Sequence, residues 1–314
     1  MPRTGHRKLW GTASALAAGV LWGLSGTAAQ VLFERHGIQP QWLVTVRMLG
    51  TAVILLVVIR PAWPRGHLVP LMIFGILGLA AVQYTYFAAI SLMGVALATF
   101  VQYLSLPMIA LWEGIIGAER LGRRTIAAVC LAMSGTSLLL LAVPHHGAFR
   151  VSSAGLFFGL LSAVTAAFYT LYSVRIVTSI GPWRANAWGF LAGGLAMAVV
   201  APPWSAHPTG TGIELVGLVA FVIVLGTLLP FALFLSSLVR ISATEAGTAV
   251  TIEPVSAALA SATLLGAALV PLQYAGGAAI VAAVLLVRAA GGRAAPSVPE
   301  AFTIPAPGPA PGSR

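Results

Sequence analysis

Ten apolar stretches recur along this chain, near residues 11–33, 40–59, 68–92, 94–117, 124–143, 153–174, 183–201, 213–236, 243–266 and 271–288. A helix needs about 20 mostly apolar residues to cross a bilayer, so each stretch has the length of one crossing. Threaded through a membrane in order, they leave 14 of the 17 Lys and Arg residues on one side. Arg3, Arg7 and Lys8 precede the first stretch, Arg60 and Arg65 follow the second, and Arg120, Arg123 and Arg124 follow the fourth. Arg175 and Arg184 flank the turn after the sixth, Arg240 precedes the ninth, and Arg288, Arg293 and Arg314 follow the tenth. The other side receives Arg35 and Arg150, and Arg47 lies inside the second stretch. Cytoplasmic loops retain basic residues during insertion. The pattern therefore predicts an all-α, multi-pass protein of the plasma or inner membrane with both termini cytoplasmic.

Composition excludes several classes. Charged residues make up 8% of the chain and hydrophobic residues 59%, against about 25% charged in a soluble domain. A net charge of +10 would suit a nucleic-acid binder, but its distribution over alternate loops makes topology the better cause, and no nucleic-acid partner is expected. The expected partners are the lipid bilayer and a small-molecule substrate, with a homodimer left open. Cys130 is the single cysteine; it forms no internal disulfide and has no metal-site spacing. Residues 1–9 read as a cytoplasmic tail, 10–143 and 152–290 as two five-helix units, and 291–314, with six prolines, as a disordered Pro-rich cytoplasmic tail.

The division falls at the loop carrying His145, His146 and Arg150. Five is odd, so two halves of one fold enter the membrane in opposite senses, as inverted repeats. Pro40 and Trp42 open the second stretch much as Pro182 and Trp183 open the seventh. Thr99, Pro107 and Gly117 in the fourth stretch echo Thr248, Pro254 and Gly266 in the ninth. Inverted repeats are the ground plan of many secondary transporters, with substrate held near the midplane.

Several motifs in this order resemble those of the EamA-type family of the drug/metabolite transporter superfamily. They are Gly19-Val20-Leu21-Trp22-Gly23, Val46-Arg47-Met48-Leu49, Gly117-Ala118-Glu119-Arg120-Leu121, Phe168-Tyr169-Thr170-Leu171-Tyr172 and Glu253-Pro254. The resemblance covers roughly residues 10–290. It implies ten helices in two inverted five-helix repeats, and export (efflux) of amino acids or related metabolites. One departure is clear: Gly266 is followed by Ala267, Ala268 and Leu269, so the second half lacks the Gly-Glu ending and no role is transferred to it.

The chain has no Asp and seven Glu, so each carboxylate can be weighed. Glu34, Glu214 and Glu300 read as loop or tail residues. Glu119 reads as an interfacial ion pair with its arginine neighbours, a weak kind of contact. Ser242-Ala243-Thr244-Glu245 is a capping box, a structural reading for Glu245. Glu113 reads as snorkelling to the cytoplasmic interface. Glu253 differs, because counting ~1.5 Å per residue places it about 15 Å deep. An ionised carboxylate there must face a cavity, find a partner or be protonated. Pro254 next to it frees a backbone carbonyl for ligand or water, or the pair merely closes a kink. Glu253 is the proton-coupling candidate. Arg47 lies within ~5 Å of midplane depth. It either snorkels outward or faces the cavity, pairing with Glu253 or with a substrate carboxylate that fits its planar fork.

Trp22 and Tyr103 fall near mid-membrane and Tyr84 somewhat farther out. With Gln102 they are candidates for a site that stacks or hydrogen-bonds a small amphipathic solute, helix packing being the alternative. Trp10, Trp42, Trp63, Trp183 and Trp204 read as interfacial belts. No G-x-x-x-x-G-K-[ST] occurs, so no nucleotide cofactor is expected and energy comes from a gradient, or transport is passive. An intramembrane enzyme is disfavoured: without Asp there is no aspartyl dyad, H-E-x-x-H is absent, and the six histidines read as loop or tail residues. A passive exchanger or a lipid-handling protein is the alternative to a coupled carrier.

Overall fold

A computed structural model describes residues 2–115, 122–141, 152–205, 209, 212–265 and 270–289. Among them there is no strand. In chain order the helices are α1 (Pro2–His36), α2 (Pro40–Ile59), α3 (Leu68–Met93), α4 (Val95–Gln102), α5 (Ser105–Ile115) and α6 (Arg123–Leu141). Then follow α7 (Ser153–Ile180), α8 (Pro182–Val200), α9 (Ile213–Leu238), α10 (Ala243–Val250), α11 (Glu253–Leu265) and α12 (Pro271–Ala289). Five continuous segments are long and apolar enough to cross a membrane: His6–His36, α2, α3, α7 and α9. The Gly117–Leu121 ending with Glu119, the His145/His146/Arg150 loop, Gly266, Glu300 and the 291–314 tail lie outside the described residues.

Prolines divide two of the rods. Pro107 and Pro254 lack the N–H that Tyr103 and Val250 carbonyls would accept, and a proline ring crowds the carbonyl four residues earlier. The helices break there, at 103–104 between α4 and α5 and at 251–252 between α10 and α11. Two other rods are continuous but carry a wider turn. A π-turn spans Phe74–Ala80 in α3, and another spans Val224–Leu228 in α9. Such turns release carbonyls from the regular ladder and are frequent at functional sites.

Packing exchanges partners between the two halves. α1 packs on α9 and on α10–α11, while α7 packs on α3 and on α4–α5. α2 pairs with α8 and α6 with α12. Glycine makes the closest approaches possible. A Cβ at Gly23 would run into the Glu253 carbonyl and the Ser256 hydroxyl, and one at Gly19 would meet the Val250 carbonyl at 2.8 Å. α1 can therefore lie directly against the α10–α11 break.

Several expectations change at the helix ends. Residues 2–9 are helical and run on into α1, and His6 and His36 lie near its two ends. Glu34 belongs to α1 and accepts from Gln30 Nε2 at 2.7 Å, and Glu214 opens α9. Glu245 closes the capping box with Ser242 and also pairs with Lys8 at 2.8 Å. Glu113 does not simply snorkel. Its carboxylate accepts from Ala243 N at 2.9 Å, from Thr244 N at 3.0 Å and from the Thr244 hydroxyl. An anion fits there because the first turn of α10 offers unsatisfied N–H groups and the positive end of the helix dipole. Trp10, Trp63, Trp183 and Trp204 are exposed, whereas Trp42 is partly buried and donates to the Pro203 carbonyl at 2.7 Å.

Candidate functional site

The two helix breaks meet inside the bundle. Tyr103, where α4 ends, donates to Glu253 Oε2 at 2.9 Å, and Glu253 is the first residue of α11. The same hydroxyl lies 3.2 Å from the Val250 carbonyl, the acceptor that Pro254 leaves without its helical donor. That carbonyl is thus met by a side chain of the other half rather than held open for a ligand. Tyr86, on α3, donates to Glu253 Oε1 at 3.3 Å and shares a 2.6 Å hydrogen bond with Thr99 of α4. Glu253 is 8% exposed, so these two phenols are its compensation for leaving water.

Arg47 approaches from α2. It is 3% exposed and does not snorkel. Its Nε donates to Thr227 Oγ1 at 2.7 Å and its Nη2 to the Gly226 carbonyl at 2.9 Å, both within the α9 π-turn. The guanidinium also stands 4.8 Å over the Phe87 ring. Among the described residues Arg47 forms no ion pair, so the expected pairing with Glu253 is replaced by these contacts. The reason is geometric: the π-turn offers freed carbonyls close to α2, while Glu253 is already enclosed by Tyr86 and Tyr103.

Both charged groups line one cavity of about 120 Å³, counted as space open to the centre of a water molecule. One water needs about 10–15 Å³ on that measure, so the cavity has room for several waters or one small solute. Its polar wall is formed by Arg47, Gln83, Tyr86, Gln102, Tyr103 and Glu253, with Ser25 and Thr170. Its apolar wall contains an aromatic cluster in which Trp22 meets Phe231 and Phe234 at 5.0 and 5.4 Å, and Tyr169 meets the same two rings at 5.8 and 5.9 Å.

Of the residues singled out in the sequence, the cavity brings together Trp22, Arg47, Gln102, Tyr103 and Glu253. Tyr84 does not line it; its ring meets Phe158 edge-on at 6.0 Å. Two residues on a helix are about 200° apart at ~100° per residue, so Tyr84 and Tyr86 occupy opposite faces. Pro254 does not line the cavity either and contributes through the break it causes. Sequence reasoning gave no site role to Tyr86, Tyr169, Ser25, Phe231 or Phe234. Gln83 with Tyr86 at an i, i+3 spacing was the available signal for the right face of α3.

A model of the EamA-like transporter family matches residues 9–141 and again 153–289. The uncharacterized inner membrane transporter YicL of Salmonella typhimurium is 31% identical over 288 residues, spanning 88% of this chain and 94% of the relative. The uncharacterized transporter YwfM of Bacillus subtilis is 27% identical over 284 residues, covering 88% and 92%. A solved crystal structure superposes with a TM-score of 0.73 at 21% identity, covering 88% of this chain and 95% of the other. That likeness speaks to the fold alone.

Proposed function

Because the chain belongs to the EamA-like transporter family, we propose that it is a secondary carrier that exports amino acids or related small metabolites by alternating access, coupled to protons through Glu253. The architecture proposed is ten spans in two inverted five-helix repeats with both termini cytoplasmic. The exchange of partners between halves supports it: α1 packs on α9 and α10–α11 as α7 packs on α3 and α4–α5. So do the two π-turns and the two proline breaks, which recur once per half. Such a repeat pair rocks about a site at its interface.

The observation that carries the reading is the junction of the two breaks. Glu253 and Arg47 face one cavity from different halves, and aromatic rings line the same cavity. A carboxylate held by two phenols can exchange a proton with the cavity while keeping its hydrogen bonds, because each phenol both donates and accepts. A buried cation without a carboxylate partner favours a substrate that brings a negative group. A small amphipathic solute with both charges fits that pairing.

The test is proton flux in proteoliposomes, followed with a pH-sensitive dye as amino acids, sugars and cationic drugs are added in turn. Native protein is expected to give a substrate-dependent signal, and Glu253→Gln to lose it while inserting normally. Coupled flux that persists unchanged in Glu253→Gln refutes the role of this carboxylate. Substrate movement without proton flux in native protein selects passive exchange, and silence toward every solute selects lipid handling.

A further inference from the structure

The α9 π-turn does more than widen a helix. Thr227 Oγ1 donates to the Val222 carbonyl five residues earlier at 2.7 Å, which leaves its lone pairs for Arg47 Nε, also at 2.7 Å. Thr51, one turn along α2 from Arg47, donates to the Ile223 carbonyl at 3.3 Å. Arg47 Nη2 takes the Gly226 carbonyl. Two nitrogens of the guanidinium are thereby fixed by the turn, and the group still lines the cavity. Ser25, from α1, packs its hydroxyl against Gly226 so closely that a Cβ there would collide with it. Ser25 is 2% exposed and lines the cavity, and its hydroxyl has no hydrogen-bond partner among the described residues.

The other half has no such device at the matching place. Arg47 and Thr51 stand seven and eleven residues after Pro40, the first residue of α2; Gly189 and Gly193 stand seven and eleven after Pro182, the first residue of α8. These glycines press against the π-turn of α3: the Gly189 carbonyl lies 2.5 Å from where a Gly75 Cβ would be, and a Cβ at Gly193 would strike the Gly75 carbonyl. Backbone meets backbone there and no side chain fits. One π-turn is bridged by a cation and its twin is sealed.

We infer that the α9 π-turn forms a single anion-binding subsite, in which Thr227 and the Gly226 carbonyl position Arg47, and the Ser25 hydroxyl is the second donor to a substrate carboxylate. This deepens the carrier reading and rests on it for the substrate. The asymmetry gives the cavity one carboxylate position and hence one orientation for a zwitterion. Thr227 is a positioning residue, since it acts through Arg47.

The experiment compares Thr227→Val, which keeps the shape and loses the hydroxyl, with Thr227→Ser, which keeps the hydroxyl. In proteoliposomes, half-saturation is measured for amino acids and for their carboxamides. Thr227→Val is expected to raise it about tenfold for the acids, with less than a twofold change for the amides and in maximal rate, as for loss of one hydrogen bond to a charged group. Thr227→Ser is expected to restore the native value. A second measurement needs no transport: the melting temperature of the detergent-solubilised protein with sodium benzoate against benzamide in sodium chloride. Stabilisation selective for benzoate in native protein, lost in Thr227→Val and kept in Thr227→Ser, supports the subsite. Absence of any benzoate-selective shift in native protein overturns it, as does an equal shift of acids and amides in Thr227→Val. Benzoate selectivity without amino-acid transport keeps the subsite and refutes amino acids as the cargo.

Discussion

Tyr103→Phe deletes the one hydroxyl through which the broken helix of the first half holds the carboxylate of the second. The ring stays, so packing in a site where Tyr103 is 5% exposed changes little. The phenol has a single hydrogen, divided between Glu253 Oε2 at 2.9 Å and the Val250 carbonyl at 3.2 Å, so one donor is lost and not two. A hydrogen bond to a charged acceptor contributes about 1.5–3 kcal/mol, and a buried carbonyl left without a donor costs about 1–3 kcal/mol. Both Val250 and Glu253 line the cavity, so water entering it would offset part of the loss, which puts the expected effect near the lower end, about 2 kcal/mol. Glu253→Gln keeps one acceptor oxygen facing the tyrosines and is expected to cost about 1 kcal/mol by itself. Once Glu253 is Gln, the Tyr103→Phe change no longer removes a hydrogen bond to a carboxylate, so the two effects should not add. The coupling is expected at about 1–2 kcal/mol, a factor of roughly 5–30 in the unfolding equilibrium. Reversible unfolding in mixed micelles, titrated with sodium dodecyl sulfate, measures all four corners of the cycle. A coupling under about 0.5 kcal/mol, the scatter of independent sites, would show that the hydroxyl serves only the Val250 carbonyl. The idea that the two breaks are joined through Glu253 would then be wrong.

Two further outcomes follow from the packing. Gly23→Ala places a methyl group against the Glu253 carbonyl and the Ser256 hydroxyl, so unfolding should be easier by about 1–3 kcal/mol; a native-like stability in the same micelle titration would contradict the close approach of α1 to the break. Glu113→Gln removes the anion that accepts from three donors at the start of α10. A loss of about 1–2 kcal/mol is expected, with faster amide exchange at Ala243 and Thr244, and unaltered exchange there would refute the cap.

Much of the fold was legible in hydropathy because a bilayer sets one length for every crossing helix. The stretch read at 40–59 is the helix Pro40–Ile59, and the one read at 68–92 is Leu68–Met93. Both prolines that divide helices were visible, as was the capping box at Ser242 and Glu245. Depth along the chain picked out Glu253, Arg47, Trp22 and Tyr103, which one cavity gathers together with Gln102. Depth could not choose the face of α3. Tyr84 and Tyr86 lie at nearly the same depth and point to opposite sides, so only packing against α4 and α11 made Tyr86 the partner of Glu253.

By itself the sequence determined which segments are helical and apolar, where prolines deny them a continuous ladder, and which few ionisable groups have to lie at depth. Those properties are local, fixed by side-chain hydrophobicity and by the missing proline N–H. Tertiary structure alone decided what each charged group meets. Arg47 and Glu253 looked like natural partners by sign and depth, yet the Arg47 guanidinium is held by a π-turn 180 residues away and Glu253 by two phenols. A buried charge takes whichever desolvated donors and acceptors the packed backbone presents nearest to it. Where a helix widens by one residue to free a carbonyl depends on its neighbours, and no window of sequence contains them.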